Sequence, residues 1–414
     1  MSSKVRLACF VVVMVLVCRL LRVSVNIKDS LSETAYEGNS MLHQSEVFSH
    51  NSEATQLAPS NRTKLSREVN EWSPRPYEPN PRPKLEEIVD GWNVVADPQW
   101  LINFAVSAFP KCGTSTLMHY FAENPEVHMH KDERCELGNN QHALLIKDMY
   151  NDFPAGDFVR GIKCPREVEN KLALKNYERL FPKTDMIVGI RHPVKWFESF
   201  YNHRIQNGFQ MLNMSKLIGA CTKNGYGICT NRAGFHVNLA NLGKTQQTNA
   251  ERALMPRWGQ RFLEKYNLTG RVFLYEVDQL NDENETRAQQ FRKDLQKFLY
   301  LKNELPPMVW FKPGRKHLSE EELIKANAKK INICDPEHNI LRKVLMSHAQ
   351  NGSQWIRKYF LPSKGVYVSS PEHVVNLLEQ WNIDPCHDGG GYKMASAASN
   401  CTKFGCFINP KAKE

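Results

Sequence analysis

An apolar segment that runs directly into a lysine- and glycine-containing turn constrains the fold of this 414-residue chain more than any other feature. Residues 101–106 have the composition of a buried strand, and the pattern from Leu117 onward is typical of a helix. The turn between them contains Lys111 and Gly113. A strand, a glycine turn and a helix N-terminus together bind anions, because free N–H groups and the positive helix end face the bound group. Lys111 adds a full positive charge.

A second apolar strand leads to an arginine and, eight residues later, a serine. The strand is predicted over residues 186–190, Arg191 follows it, and Ser199 falls in a predicted helix over residues 194–207. This spacing lets a guanidinium at a strand end and a hydroxyl one or two helical turns later bind the same phosphate. The two segments together predict two anion-binding points.

Predicted strands and helices alternate from about residue 97 onward. This alternation predicts an α/β fold, with a mainly parallel central sheet flanked by helices. Both anion-binding segments come directly after strands, at the edge where open α/β sheets bind ligands. The predicted strands are 101–106, 158–162, 186–190 and 271–275, and the predicted helices are 114–122, 168–180, 194–207, 287–299, 320–327 and 340–348.

The N-terminal segment has the pattern of a secretory targeting signal. Lys4 and Arg6 precede an unbroken apolar run over residues 7–18, and counting through two further arginines extends the run to residue 25. The shorter run fits a signal-peptide core and the longer one a membrane span. We favour a retained single-pass anchor over residues 1–25, with a cleaved signal peptide as the alternative. Both place the rest of the chain in the secretory lumen.

The remaining chain divides by composition. Residues 26–95 are polar and proline-rich, which predicts a stem. Residues 96–414 form a single domain with a C-terminal extension from about residue 361. The formal net charge is +10, part of it from the N-terminal segment. The moderate excess that remains suits anionic ligands, and we expect no nucleic-acid partner.

Glycosylation and disulfide signals agree with a lumenal location. Cys221 and Cys229 bracket a glycine-containing loop and predict a short-range disulfide. The odd total of 11 cysteines leaves at least one thiol free or intermolecular, and we expect Cys112 to be free. Three cysteines near the C-terminus could supply a further bridge: Cys386, Cys401 and Cys406. Sequons for N-glycosylation occur at Asn61, Asn213, Asn267, Asn284, Asn351 and Asn400.

The order of residues in the first turn differs from a Walker A loop, in which the lysine follows the glycine. Here Lys111 precedes Gly113, and with Arg191 and Ser199 this order resembles the sulfotransferases that use 3′-phosphoadenylyl sulfate (PAPS). The resemblance implies a P-loop NTPase-like fold, a lysine loop that holds the 5′-phosphosulfate, and an Arg191–Ser199 pair that holds the 3′-phosphate. It assigns to the loop site Lys111, Cys112, Gly113, Thr114, Ser115 and Thr116.

Further elements are similar to the carbohydrate (Golgi-type) sulfotransferases, nearest the heparan sulfate branch. In that branch a helix ends at a His-Pro-x-Val segment, and a glutamate eight residues past the proline is the catalytic base; counting from Pro125 gives Glu133. The family usually has aromatic residues next, whereas this chain has Arg134 and Cys135. This departure leaves Asp132 and Glu136 as alternative bases.

Two later segments extend the resemblance. Lys163, followed by Cys164 and Pro165, looks like the family's Lys-Ser/Thr-Pro element, whose lysine lies near the acceptor hydroxyl. A basic segment is similar to the Lys-Gly-Arg-x-His loop that closes over the donor. Its residues are Lys312, Gly314, Arg315, Lys316 and His317.

The resemblance implies sulfuryl transfer from PAPS to a hydroxyl of a glycan or proteoglycan acceptor. It assigns the catalysis to Glu133, Lys111 and Lys163 and requires no metal. It also implies a type II Golgi membrane protein, held by its N-terminal segment, with its catalytic domain in the lumen. Two alternatives remain at this point: a protein-tyrosine sulfotransferase, and a non-catalytic glycan-binding protein of the same fold.

Overall fold

Six parallel strands form the central sheet, in the order β4-β5-β3-β6-β7-β9. The computed structural model describes residues 76–77, 80–313, 319–387, 399–402 and 405–408. The strands are β1 (Val89–Asp90), β2 (Asn93–Val94), β3 (Phe104–Val106), β4 (Val127–Met129), β5 (Val159–Lys163), β6 (Asp185–Ile190), β7 (Val272–Glu276), β8 (Trp310–Pro313), β9 (Val366–Tyr367), β10 (Ser399–Thr402) and β11 (Gly405–Ile408).

Helices flank the sheet, which confirms the predicted α/β class. They are α1 (Leu85–Ile88), α2 (Thr114–Ala122), α3 (His142–Asp152), α4 (Lys171–Leu180), α5 (Pro193–Gln206), α6 (Phe235–Ala240), α7 (Asn249–Ala253), α8 (Arg257–Gln260), α9 (Glu285–Phe298), α10 (Glu320–Ala328), α11 (Asn339–Trp355) and α12 (Pro371–Gln380). Within the described ranges, every helix is too short or too polar to span a membrane. The predicted anchor and most of the predicted stem lie outside these ranges, and the domain boundaries stay predictions.

The central strands are buried on both faces. In β6, Met186, Val188 and Ile190 pack into one hydrophobic cluster with α3, α4, α5 and α11. Ile187, which lies between Met186 and Val188, points to the other face and packs into a second cluster with α2 and α9. Because both faces are covered by helices, the strand is apolar throughout rather than alternating. This explains why its sequence reads as one continuous apolar run.

All four predicted strands and all six predicted helices are present; α2 has the predicted bounds, and the other elements are shifted at one or both ends. The largest shift is at the end of α11, which was predicted at residue 348 and lies at Trp355. Strand β3 begins only at Phe104, because Gln99–Leu101 form a 3-10 turn. The elements that were not predicted include two strands of the central sheet, β4 and β9, and two of the longer helices, α3 and α12. The two missed strands have three and two residues, too few to show a periodicity. The chain beyond residue 361 nevertheless completes the sheet, since β9 pairs with β7.

Three disulfides cross-link the described chain. The predicted Cys221–Cys229 bridge is present, and Cys112 is a buried free thiol as expected. Cys386 does not pair within the C-terminal cysteine cluster, because it bonds to Cys334. Helices α11 and α12 lie between these two cysteines in the sequence. They pack against each other and so bring Cys334 and Cys386 close together. The third bridge, Cys135–Cys164, was not predicted.

Candidate active site

Three hydrogen bonds to consecutive backbone carbonyl groups stabilise the turn between β3 and α2. The donors belong to elements far along the chain: the end of β6, the first turns of α5, and β7. The bonds run from Trp196 Nε1 to the Pro110 oxygen (2.7 Å), from Arg191 Nη1 to the Lys111 oxygen (3.3 Å) and from the Tyr275 hydroxyl to the Cys112 oxygen (2.7 Å).

These bonds fix the peptide planes of the turn and therefore the directions of its N–H groups. Lys111 and Gly113 both adopt left-handed backbone conformations, with φ of 66° and 81°. Gly113 is the N-cap of α2 and has no side chain to cap that helix end. The first-turn N–H groups have no acceptor within the helix. A preorganised turn that leads into an uncapped helix end is a suitable anion site.

Burial governs the chemistry of Cys112 in this turn. Its side chain is fully buried, and this burial raises the pKa of the thiol well above its usual range. The thiol is therefore protonated near neutral pH and is a poor nucleophile. Cys112 contributes its backbone to the turn rather than a reactive sulfur.

Lys163 lies at the carboxyl end of β5 and joins two other predicted site residues. Its Nζ donates to Ser115 Oγ in the first turn of α2 (3.3 Å) and forms an ion pair with Glu133 Oε1. The Lys163 side chain is only 2% exposed, whereas that of Glu133 is 53% exposed. The structure therefore places a buried cation between the anion-binding turn and a carboxylate that opens to solvent.

The two alternative bases have other partners. The Glu136 carboxylate pairs with the Arg134 guanidinium at 2.9 Å. Asp132 contributes a backbone N–H to His130 Nδ1 at 3.1 Å, and its side chain is exposed. Of the three acids, the geometry favours Glu133 because its carboxylate contacts Lys163.

The Arg191–Ser199 segment lies at the same edge of the sheet as the turn. Arg191 follows β6 directly and reaches the Lys111 carbonyl, and Ser199 is half-buried on α5. A cavity of about 230 Å³ opens beside the ends of β6 and β7, where Lys195 and Glu276 line it. Burial, followed by the charge of Asp278, raises the pKa of Glu276 to about 8. This carboxyl group is therefore largely protonated at neutral pH.

His203 is a site residue that the sequence reasoning missed. It is half-buried on α5, four residues after Ser199, and therefore lies on the same face of the helix. Burial, followed by the positive charges of Lys111, Arg204 and Lys163, lowers its pKa to about 3. His203 is thus a neutral imidazole in the field of both site lysines. The spacing from Ser199 was the signal that could have identified it.

Only part of the predicted closing segment can be placed. Lys312 lies in β8, where its backbone is opposite Cys406 of β11. Just before β8, the Pro306 carbonyl accepts a hydrogen bond from the Tyr120 hydroxyl of α2 at 2.5 Å. The approach to the segment therefore runs beside the helix that follows the turn. Gly314, Arg315, Lys316 and His317 lie outside the described residues.

Comparisons with known proteins give a likeness of fold. The sequence matches no protein-family model and no curated protein. Separately, the described part of the chain contains no group of three or more His, Cys, Asp or Glu side chains that could hold a metal ion. A solved sulfotransferase from Alicyclobacillus acidocaldarius is 11% identical, with a TM-score of 0.38 over 62% of this chain and 95% of that one. The sulfotransferase domain from the curacin biosynthetic pathway is 15% identical, with a TM-score of 0.31 over 61% and 97%. We therefore base the function on the geometry of the site.

Proposed function

We propose that this protein transfers a sulfuryl group from PAPS to a hydroxyl group of a carbohydrate acceptor. The observation that carries the proposal is the position of Lys163, whose Nζ contacts both Ser115 and Glu133. One cation thus joins the turn that would bind the donor to the carboxylate that would activate the acceptor.

The residues of the turn fit the phosphosulfate end of PAPS. Lys111 and the first N–H groups of α2 supply a positive charge and backbone donors at one point. Arg191 contacts the Lys111 carbonyl of the same turn. Its guanidinium and the Ser199 hydroxyl would together bind the 3′-phosphate. The site therefore offers separate donors for the two anionic ends of one nucleotide.

The mechanism needs positioning and charge stabilisation rather than covalent catalysis. Glu133 accepts the proton of the acceptor hydroxyl as its oxygen attacks sulfur in line. Lys163 stabilises the negative charge on the sulfuryl oxygens, and Lys111 with the α2 N–H groups stabilises the charge on the departing phosphate. The half-exposed position of Glu133 leaves room for an acceptor to approach from solvent.

The acceptor class and the compartment belong to the same proposal. We propose a glycan or proteoglycan acceptor in the Golgi lumen and a single-pass type II anchor at the N-terminus. Three disulfides support an oxidising compartment. The exposed sequon asparagines Asn213, Asn267 and Asn284 support a glycosylated, lumenal chain.

The test is transfer of radiolabelled sulfate from PAPS to a panel of glycans and tyrosine peptides, with Lys111→Ala as the matched negative control. Label on a glycan is the expected result. Label on tyrosine peptides alone would replace the acceptor class. Binding of adenosine 3′,5′-bisphosphate without transfer to any acceptor would select the non-catalytic, glycan-binding alternative. Absence of both binding and transfer would refute the proposal.

A further inference from the structure

The Cys135–Cys164 disulfide joins two points at which this chain departs from the family pattern. Cys164 stands in place of the family's serine or threonine after the lysine, and Cys135 stands where an aromatic residue is usual. The structure shows that the two cysteines are bonded to each other across 29 residues of sequence. The two departures are therefore one structural feature.

The cysteines of this disulfide are sequence neighbours of Glu133 and Lys163. Cys135 is two residues after Glu133, and Cys164 is the residue after Lys163. A second tie runs in parallel, because the Arg134 N–H donates to the Lys163 carbonyl at 2.8 Å. The cross-link thus joins the segment that carries the carboxylate to the strand end that carries the cation.

The other ties on the segment that carries Glu133 are noncovalent and belong to its neighbours, among them the hydrogen bond from the His130 N–H to the Gly161 carbonyl. The segment between the end of β4 and the 3-10 turn at Glu136–Asn139 has no regular secondary structure. The Arg134 guanidinium anchors the segment to Asp148 of α3 at 2.5 Å. The ion pair of Glu133 with Lys163 is open to solvent on the side of Glu133, so water competes with Lys163 for the carboxylate. A covalent tie next to the pair is not subject to this competition.

We propose that the Cys135–Cys164 disulfide is a positioning device that keeps the Glu133 carboxylate at Lys163 Nζ, so that turnover depends on this bond while donor binding does not. The inference rests on the proposed function. Its physical reason is that a displacement of about 1 Å in a reacting group can cost about a hundredfold in rate. The donor turn is held independently by Trp196 and Tyr275, and is not affected by the loss of the bond.

The first test removes both sulfurs, in the variant Cys135→Ser/Cys164→Ser, so that no lone thiol remains. We expect turnover to fall by about a hundredfold and the affinity for adenosine 3′,5′-bisphosphate to stay within about twofold of wild type. The matched control is Cys334→Ser/Cys386→Ser, which opens a longer loop of 52 residues and whose cysteines are not sequence neighbours of Glu133 or Lys163. The control loses stability but keeps its turnover. Equal losses of turnover in both variants would overturn the proposal.

A double-mutant cycle separates positioning from a general structural role. In the Glu133→Gln background the carboxylate is already lost, and removal of the disulfide should change turnover less than about threefold. An undiminished hundredfold loss in that background would show that the bond does not act through Glu133. If the serine variant does not fold, Cys135→Ala/Cys164→Val refills the buried Cys164 position with an apolar side chain and takes its place.

Hydrogen exchange gives a readout that does not depend on activity. The Arg134 amide, which donates to the Lys163 carbonyl, should exchange at least about tenfold faster in the double variant with bisphosphate bound. Unchanged protection of that amide would overturn the positioning proposal even if the wild type transfers sulfate. Faster exchange in a protein that labels no acceptor would instead support the tie and refute the proposed function.

Discussion

Replacement of Lys163 by methionine should separate the catalytic role of this residue from any role in stability. The Lys163 side chain is 2% exposed, and its polar partners are Ser115 and Glu133. Methionine keeps most of the length of the lysine stem and removes the charge. Both partners are partly exposed, so water can solvate them after the change. The substitution therefore leaves no buried, uncompensated charge.

The expected magnitudes follow from this asymmetry. Exchange of a buried ion for an apolar side chain is often neutral or stabilising, because the desolvation cost of the ion disappears. We therefore expect the free energy of unfolding of Lys163→Met to stay within about 1 kcal/mol of wild type or to rise. Loss of one preorganised donor to a developing charge costs about 2.7–4 kcal/mol, which is about 10²–10³ in turnover.

The assay combines turnover on the best glycan acceptor with thermal unfolding and bisphosphate titration. The expected pattern is a large loss of turnover with unchanged or higher stability. Normal turnover in Lys163→Met would refute the catalytic role of the buried cation. A parallel loss of turnover and stability would mean that the lysine supports the fold of the site and that its charge is not aimed at the sulfuryl group.

Three further predictions test the donor site, the buried Glu167 carboxyl group and the covalent state. Arg191→Ala should weaken bisphosphate binding by about 2–5 kcal/mol, and Ser199→Ala by about 1 kcal/mol, in titration calorimetry; unchanged affinity of Arg191→Ala would contradict the assignment. Burial raises the pKa of Glu167 from 4.5 to about 8, so its contribution to stability is full below about pH 4.5 and is lost as the pH rises through 8. In the wild type the free energy of unfolding should therefore fall between pH 6 and 8, and Glu167→Gln should reduce this slope by up to about 1.4 kcal/mol per pH unit. An equal slope in the variant and the wild type would argue against a buried proton on Glu167. Protein from a eukaryotic secretory host should carry a glycan at the exposed Asn267 and show all three disulfides by peptide mapping, whereas an unglycosylated, fully reduced chain would contradict a lumenal location.

Local signals were sufficient for the elements around the donor turn. Helix α2 has the predicted bounds, because Gly113 ends the turn and Leu117, Tyr120 and Phe121 supply a buried face. Strand β6 was recognisable because both of its faces are buried and its apolar run is continuous. The same reasoning failed for β9, whose two residues form a strand only because β7 offers them a parallel edge.

The sequence by itself determined the α/β class, the turn at Lys111–Gly113, the short Cys221–Cys229 bridge and the candidate acids. Each depends on residues near one another in the chain, where spacing and composition carry the information. Only the tertiary structure decided that Glu133 meets Lys163, that Cys135 bonds to Cys164, and that Trp196 and Tyr275 hold the turn. These contacts depend on the order of β4, β5, β3, β6 and β7 in the sheet. Strand order is set by the packing of the whole domain, and it brings together side chains that no local pattern connects.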